Sequence, residues 1–338
     1  MRVSVVVPVR NGGEAFRGCL ESLVACRPPP DEIVVVADGD SDGSWRLAEA
    51  LGARVVRLPV PRGPAAARNA GAKVAQGDVL FFVDADVAVH PDAVGRVLAL
   101  FEEAPSDLAA CFGLYDDEPA EPNFLSQYKN LQHHWVHRTG NPEASTFWSG
   151  CGAVRRSAFE AVGGFDEGYR RPSIEDIELG YRLREAGYRV RLDKGLLAKH
   201  LKRWDIRSHL KAEIFGRALP WTDLILRRGR FVNDLNLEWS ERASAAAVWG
   251  AAAGVILGLS GQPAAWAGAG ASVGAVLVLN RDFYAFLLRR RGPRFLAKAL
   301  AWHWLYYLYA SLAFGVGTLR HLAWGRTRPP SGAVPDGS

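Results

Sequence analysis

The chain has 338 residues, of which 49% are apolar and 23% are charged, and its formal net charge is +5. This composition lies in the ordinary globular range, and the length allows one large domain or two smaller ones. The basic residues concentrate beside apolar segments, at 226–230 and 287–294, which argues against nucleic acid and favours anionic lipid headgroups. The four cysteines form no CxxC pair and no Cys/His cluster, which argues against zinc or a disulfide framework and favours a reducing compartment.

Strand and helix patterns alternate from the first residues onward. Continuous β-branched runs predict buried strands, and apolar residues three and four apart predict the helices between them. In chain order, the predicted elements are a strand at 2–9, a helix at 11–26, a strand at 32–37, a helix at 45–51, a strand at 53–58, a helix at 65–75 and a strand at 79–83. Repeated βα units with short loops predict an α/β fold with a mostly parallel sheet flanked by helices.

The α/β pattern continues in the middle of the chain. Residues 145–156 predict a strand region, and 157–167 predict a helix that ends at a glycine pair. A well-marked helix is predicted at 173–190, with Ser173 as its N-cap and Asp176 at the reciprocal position.

The C-terminal part differs because it contains long uncharged segments. Residues 243–259 and 264–280 are separated by a tight turn and predict a helical hairpin in a membrane. A third apolar segment, 299–319, is long enough to cross and is rich in Trp and Tyr, which favour bilayer interfaces. The alternative is a buried helical subdomain or an interfacial hairpin.

Asp84 and Asp86 directly follow the predicted strand at 79–83. Side chains two residues apart on a strand face the same way, so these like charges repel unless a cation lies between them. Mg²⁺ and Mn²⁺ take oxygen ligands and usually bind through one or two carboxylates plus substrate phosphates. The position predicts a divalent metal site; the alternative is that Asp84 caps a turn and Asp86 is solvated.

Asp38 ends the second predicted strand, at the sheet edge where ligands of α/β proteins bind. Its carboxylate can accept hydrogen bonds from a base edge or a ribose hydroxyl, whereas Asp40 and Asp42 are expected to form turns with the adjacent glycines. Further on, the glycine and helix at 62–71 can meet a phosphate or position Arg68 near one, with a plain helix start as the alternative.

Glu175 and Asp176 lie at the start of the helix predicted at 173–190. The positive end of the helix dipole favours their ionised form. An ionised carboxylate that faces a cleft can take a proton from an acceptor hydroxyl. The alternative is that Asp176 only completes the helix cap.

Taken together, these motifs resemble family 2 of the glycosyltransferases, which has the GT-A (Rossmann-like) nucleotide-sugar fold. The resemblance covers roughly residues 2–200. It is carried by the order and spacing of VSVVVPVRN, EIVVVADGDSDGS, GPAAARNAGAKVAQGDVLFFVDADV, SGCGAVRRSAFEAVGGFDE and EDIELGYRLREAGYRV. It implies transfer of a sugar from a nucleotide-diphosphate donor with inversion at the anomeric carbon, using Mn²⁺ or Mg²⁺.

The resemblance also implies roles for individual residues. The implied donor-binding residues are Pro8, Arg10, Asp38, Arg68, Asp84, Ala85 and Asp86. The implied acceptor and sugar residues are Trp148, Gly150 and Glu175. Asp176 is the implied general base, and His200 is an implied metal ligand together with Asp84 and Asp86.

One position departs from the family pattern, which commonly has two aspartates before the glycine of the second motif. The first is Ala37 here, so nucleotide contact at this point depends on Asp38 alone. Among other classes, a dinucleotide-dependent oxidoreductase needs G-x-G-x-x-G after the first strand, and PVRNGGEAF lacks that spacing. The other alternative is a catalytically silent membrane scaffold, against which the intact Asp84, Asp86 and Asp176 argue.

The expected organisation is a catalytic domain at 1–235, membrane-associated helices at 236–325 and a disordered tail at 326–338. The positive-inside tendency puts the arginine-rich segment 281–294 on the catalytic side, so the expected location is the cytoplasmic membrane with the catalytic domain facing the cytoplasm. The expected acceptor is a lipid, polyprenyl phosphate or membrane-bound glycan. A soluble acceptor, with the C-terminal helices serving only as an anchor, is the alternative.

Overall fold

The computed structural model describes residues 1–229 and 238–324. These residues form two compact units, one that ends at His209 and one that begins at Leu210. The first unit contains the sheet and every predicted site residue, and the second is helical. The predicted domain boundary at 235 and the predicted disordered tail at 326–338 lie outside the described residues.

The first unit is built on a mixed sheet, with nine strands in the described residues. The strands are β1 (Val3–Val9), β2 (Glu32–Asp38), β3 (Arg54–Leu58), β4 (Val79–Val83), β5 (Val87–Val89), β6 (Leu108–Tyr115), β7 (Glu143–Ala144), β8 (Cys151–Arg155) and β9 (Arg189–His200). Their order is β3-β2-β1-β4-β8-β6-β9-β5, and β7 pairs with β9. The first four strands pair in parallel, whereas β8 runs antiparallel to both β4 and β6. The predicted α/β fold is confirmed; β6 and β9 also pair in parallel, whereas β5 and β7 run antiparallel to β9.

Helices flank this sheet. They are α1 (Gly13–Val24), α2 (Ser44–Ala50), α3 (Pro64–Val74), α4 (Ala93–Glu103), α5 (Phe124–Thr139), α6 (Arg156–Ala161), α7 (Glu175–Glu185) and α8 (Ile206–Lys211). α6 is shorter than predicted because Gly163 and Gly164 both adopt positive φ, which an α-helix does not allow. The predicted Ser173 cap is wrong: α7 has Ile174 at its N-cap position, and the Ser173 backbone N–H donates to the Glu175 carboxylate (2.9 Å).

The packing of α3 against the sheet brings a charged side chain to the end of β4. A Cβ added at Gly71 would lie 2.4 Å from Cγ1 of Val6, so the helix touches β1 directly. Four alanines of α3 are also buried, and their small side chains allow a close approach of the helix to the sheet: Ala65, Ala66, Ala67 and Ala72. One turn earlier along the helix, Arg68 is therefore buried as well.

The second unit begins at Leu210, near the end of α8. It continues with a π-helical segment, Ala212–Ala218, and with α9 (Leu219–Arg228), α10 (Trp239–Leu259), α11 (Ala264–Leu279) and α12 (Arg281–Trp324). Gly292, with φ of 78°, breaks α12. Three of these helices are joined by a buried polar group at Asn280, which donates to Ser244 Oγ (2.9 Å) and accepts from Tyr307 OH (2.9 Å).

One helix in the described residues, α10, is long and apolar enough to cross a membrane. α11 and the described part of α12 pass the same criteria only together, and they are bent by 66°. The segments predicted at 243–259 and 299–319 lie within α10 and α12, and the segment predicted at 264–280 is α11 plus one residue. By length and composition, the described residues thus contain one candidate membrane-spanning helix, or two candidate spans if the bent pair counts as one.

Candidate active site

Hydrogen bonds connect the loops that follow β1 and β2 at the carboxyl edge of the sheet. The backbone N–H of Asn11 donates to Asp40 (3.0 Å), and the Asn11 side chain accepts from the Ser41 backbone (2.8 Å). Asp42 accepts from both the backbone and the hydroxyl of Ser44 (2.9 and 2.6 Å), and these hydrogen bonds lower its pKa to about 2. The turn predicted at Asp42 is therefore present.

The predicted nucleotide residues Pro8 and Arg10 lie at the end of β1, next to these joined loops. Pro8 is half-buried and Arg10 is exposed. Both are therefore at the sheet edge where the prediction put the donor nucleotide.

Asp38 is buried at the end of β2, and its carboxylate is engaged by the following loop. One oxygen accepts from the backbone N–H of Arg62 (2.7 Å) and the other from that of Gly63 (2.8 Å). Gly63 has φ of 96°, and a Cβ there would lie 2.6 Å from the carbonyl oxygen of Arg170. Asp38 therefore holds the entry to α3, and its contact with a base or ribose stays a prediction.

Arg68 connects two carboxylates that are distant in sequence. Its Nη2 lies 2.6 Å from Asp84 Oδ1, and its Nη1 lies 2.8 Å from Glu175 Oε1. The Arg68 side chain is 5% exposed. Burial works against its charge, but Asp84 and Glu175 outweigh that effect and raise the pKa of Arg68. The cation beside Asp84 in this structure is thus an arginine.

Asp86 has different surroundings from Asp84. Its Oδ2 lies 3.8 Å from His200 Nε2 and 3.7 Å from Lys202 Nζ. Burial opposes its ionisation, but His200 and Lys202 outweigh that effect and lower the pKa of Asp86 to about 2. Ala85, between the two aspartates, is half-buried. Asp86 is therefore an ionised carboxylate at ordinary pH.

The predicted metal ligands are only partly brought together. Asp86 and His200 adjoin, but Arg68 holds one oxygen of Asp84, and no group of three or more His, Cys, Asp or Glu among the described residues is arranged to hold a metal. A carboxylate oxygen and an imidazole nitrogen suit Mn²⁺, and substrate phosphates commonly complete such a site. The donor set at Asp86 and His200 therefore fits a divalent cation that binds together with a diphosphate.

Asp176 is the second residue of α7, directly after Glu175. Its Oδ2 accepts from the backbone N–H of Ser149 (3.1 Å) and its Oδ1 from that of Ile177 (2.8 Å). Burial, reinforced by the negative charge of Glu175, raises the pKa of Asp176 to about 6 despite Arg68 and these hydrogen bonds. A carboxylate with this pKa is well matched to proton transfer near neutral pH.

Glu175 itself does not face an open cleft. It is buried, and its two oxygens accept from Arg68 and from the Ser173 backbone. Its predicted place beside the acceptor stays a prediction, while the structure gives it a role in fixing Arg68.

An aromatic row connects the Asp176 side of the site to the Asp86 side. The Trp148 ring lies 4.8 Å from that of Tyr115, which stacks on His200 at 4.5 Å. A Cβ at Gly150 would lie 2.6 Å from the Trp148 ring, so glycine is needed for this ring position. The Gly150 carbonyl accepts from the Asp84 backbone N–H (3.2 Å), which ties the row to the end of β4.

Sequence reasoning missed three residues of this site: Ser149, Tyr115 and Lys202. Ser149 lies between two predicted residues, Trp148 and Gly150, and Lys202 follows His200 by two positions. These neighbourhoods could have singled them out. Nothing in the sequence around Tyr115, at the end of β6, indicated that its ring reaches His200.

Comparison with known proteins identifies relatives for most of the first unit. Residues 4–163 match the family model described as glycosyl transferase family 2, and 136–203 match one described as the N-terminal domain of galactosyltransferase. A pre-mycofactocin glycosyltransferase from Mycobacterium tuberculosis is 30% identical over 228 residues, which cover 64% of this chain and 47% of that protein. A validoxylamine A glucosyltransferase from Streptomyces hygroscopicus is 29% identical over 235 residues, which cover 59% and 52%. The chain thus spans about half the length of these relatives.

Solved structures support the same fold. The mannosyltransferase PcManGT from Pyrobaculum calidifontis, solved with GDP-Man and Mn²⁺, superposes with a TM-score of 0.52 at 18% identity, covering 96% of this chain and 88% of that one. Residues 1–349 of S. aureus TarS superpose with a TM-score of 0.50 at 19% identity, covering 94% and 92%. At these identities the similarity is one of fold, and it agrees with the predicted GT-A architecture.

Proposed function

We propose that this chain, of which residues 4–163 match the family model of glycosyl transferase family 2, is a member of that family and transfers a sugar from a nucleotide-diphosphate donor to an acceptor hydroxyl. The observation that carries this proposal is the double ion pair of Arg68 with Asp84 and Glu175. One buried cation thereby holds Asp84, on the donor side, next to Glu175, the residue before the proposed proton acceptor Asp176. Holding the two reactants, here the donor and the acceptor hydroxyl, in a fixed relative position is a large part of what a transferase contributes to catalysis.

On the donor side, Asp86 and His200 would hold Mn²⁺ or Mg²⁺ together with the diphosphate. The metal, when bound, neutralises charge that builds on the leaving diphosphate. Asp84, fixed by Arg68, borders the same position, and the joined loops after β1 and β2 border the nucleotide. The PcManGT structure contains GDP-Man and Mn²⁺, which supports this assignment by similarity of fold.

On the acceptor side, Asp176 takes the proton of the attacking hydroxyl. The hydroxyl oxygen attacks the anomeric carbon on the face opposite the leaving group, so the configuration at that carbon inverts. Ser149 keeps Asp176 oriented through its backbone N–H, and the Trp148 ring offers an apolar face for a sugar. The raised pKa of Asp176 makes it a better proton acceptor than an ordinary carboxylate would be.

The acceptor is proposed to be a lipid, a polyprenyl phosphate or a membrane-bound glycan. α10 exposes large apolar side chains such as Ile256 and Leu259, which a bilayer would cover. The basic cluster at 289–291 favours a cytoplasmic position for the end of the helical unit that contains it. The proposed location is therefore the cytoplasmic membrane, with the catalytic unit in the cytoplasm.

The test is a donor screen with the full chain. Nucleotide sugars are offered one at a time with Mn²⁺ and an extracted membrane-lipid fraction, and products are identified by mass. We expect one donor to release its nucleoside diphosphate and to raise the mass of a lipid by one sugar residue. Transfer to soluble sugars alone would contradict the membrane acceptor, and release of nucleotide from no donor would contradict the enzyme itself.

A further inference from the structure

The loop after β9 contains Lys202, a residue to which the proposed reaction assigns no role. This loop is tied to the aspartate pair, because the backbone N–H of Leu201 donates to the carbonyl oxygen of Asp86 (2.8 Å). Lys202 follows, with its Nζ 3.7 Å from Asp86 Oδ2 and its side chain 44% exposed. An accessible ammonium group therefore lies beside the carboxylate proposed to border the diphosphate.

The position of this ammonium group is supported by Trp204. Lys202 Nζ lies 4.3 Å from the centre of the Trp204 ring, within the range of a cation–π contact. Trp204 is 9% exposed, and its backbone is fixed by hydrogen bonds with Ser126 Oγ and Asn123 Nδ2, both 2.8 Å long. The aromatic ring holds the lysine near Asp86 and leaves the ammonium hydrogens directed to other acceptors.

The neighbouring basic residues have other partners. Lys199 pairs with Asp116 (3.2 Å) and donates to the carbonyl of Glu118, and Arg203 pairs with Glu121 (2.9 Å). These contacts direct both charges to carboxylates other than Asp86. Lys202 is the lysine of this loop that faces the aspartate pair.

The charge balance at the site indicates a role for Lys202. In the structure Arg68 is shared by Asp84 and Glu175, and the cation nearest Asp86 is the ammonium group of Lys202. A divalent cation and the doubly charged diphosphate of a nucleotide sugar add no net charge. Breaking the sugar–phosphate bond then adds one negative charge, which lies on the terminal phosphate of the leaving group and needs a cation within reach.

We infer that Lys202 binds the terminal phosphate of the nucleoside diphosphate and stabilises it as it leaves, an assignment that depends on the proposed transferase function. In that step the bond between the anomeric carbon and the phosphate oxygen breaks, and its electron pair stays on the oxygen. The acceptor oxygen bonds to the carbon, and its proton passes to Asp176. Lys202 contacts the oxygen that gains the charge.

The experiment compares nucleotide affinities by titration calorimetry with Mn²⁺ present. The full chain is titrated with UDP, GDP, ADP, CDP and TDP and with the five matching monophosphates. For the diphosphate that binds, we expect Lys202→Gln to weaken affinity about tenfold or more, the size of a hydrogen bond to a charged group, and to leave the monophosphate affinity unchanged. Lys202→Arg should retain most of the affinity, and Lys194→Gln, on β9 away from the aspartates, is the matched control.

Several outcomes would overturn the inference. Equal diphosphate affinity in Lys202→Gln and the wild type would do so, as would equal losses for diphosphate and monophosphate. A selective loss in Arg203→Gln with none in Lys202→Gln would assign the contact to the neighbouring arginine. If the wild-type chain binds no nucleoside diphosphate at all, the proposed function fails together with the inference, whereas binding that is insensitive to Lys202 removes the inference alone.

Discussion

The two aspartates that follow β4, Asp84 and Asp86, are two residues apart, yet their ion-pair partners and the distances to these partners differ. Asp84 belongs to a closed group with Arg68 and Glu175, in which the ion-pair distances are 2.6 and 2.8 Å. Asp86 belongs to an open group with His200 and Lys202, in which the corresponding distances are 3.8 and 3.7 Å. The short distances leave no space for a ligand between the partners, whereas the long ones do.

This difference in ion-pair distances indicates that the two groups have different roles. In the closed group Arg68 and Glu175 are buried, Asp84 is 33% exposed, and the single cation pairs with both carboxylates, so the group holds the end of β4 next to α7. The open group keeps an ionised carboxylate near solvent, where a cation and a diphosphate can reach it. A change in the closed group should therefore affect the stability of the fold first, and a change in the open group should affect ligand binding and rate.

The largest expected effect is on stability, at Arg68. Arg68→Gln leaves Asp84 and Glu175 without their shared cation, and breaking a buried ion pair in this way costs about 3–5 kcal/mol of unfolding free energy. The measurement is urea unfolding of the full chain. The control is Arg62→Gln, because Arg62 pairs with Glu167 at 2.7 Å but the two side chains are 52% and 43% exposed. That pair should contribute about 1 kcal/mol or less. Equal losses in the two variants would contradict the closed group.

The next effect is on rate, at Asp86. Asp86→Asn removes the ionised ligand of the open group, and we expect kcat/KM for the accepted donor to fall by about 10² to 10³. The unfolding free energy should fall by less than in Arg68→Gln, because the lowering of the Asp86 pKa to about 2 corresponds to about 2 kcal/mol of stability at neutral pH. Asp107→Asn, at an exposed position beside β6, is the control for loss of a surface carboxylate. A fall in stability as large as that of Arg68→Gln would show that the two groups do not differ as described.

The sequence was sufficient to predict the parallel half of the sheet and the positions of the aspartates. β1, β2 and β4 are continuous apolar runs because helices cover both faces of the sheet, and this pattern is visible in the residues alone. Asp176 at a helix start was also predictable. The contacts that decide what each carboxylate does were not, because they depend on tertiary packing.

Arg68 illustrates that limit. The glycine and helix start at 62–71 indicated that Arg68 could lie near a phosphate. They did not indicate that the close packing of α3 on β1 would bury the guanidinium between Asp84 and Glu175. The ion pair of Glu175 with Arg68 could not be predicted from the sequence either, and the place of Glu175 beside the acceptor stays a prediction. Side chains that meet across more than a hundred residues of chain leave no periodic trace in the sequence.

The smallest expected effect concerns the pH dependence of transfer. It tests whether the charge of Glu175, in the closed group, raises the pKa of the proposed base Asp176. Asp176 must be ionised to accept a proton, and its pKa is about 6, raised by burial and then by the charge of Glu175. In the wild type, kcat/KM should therefore be constant above that pH and fall about tenfold per pH unit below it.

Glu175→Gln removes the negative charge that raises the pKa of Asp176 and keeps an oxygen that can accept from Arg68. The acid limb of the profile should then move to lower pH, so that at pH 5 the variant loses a smaller fraction of its maximal rate than the wild type does. Asp176→Asn should bind donor and transfer poorly at every pH, because an amide cannot act as the proton acceptor. An acid limb that stays in place in Glu175→Gln would mean that the charge of Glu175 does not reach Asp176. The closed group would then support the fold without tuning the base.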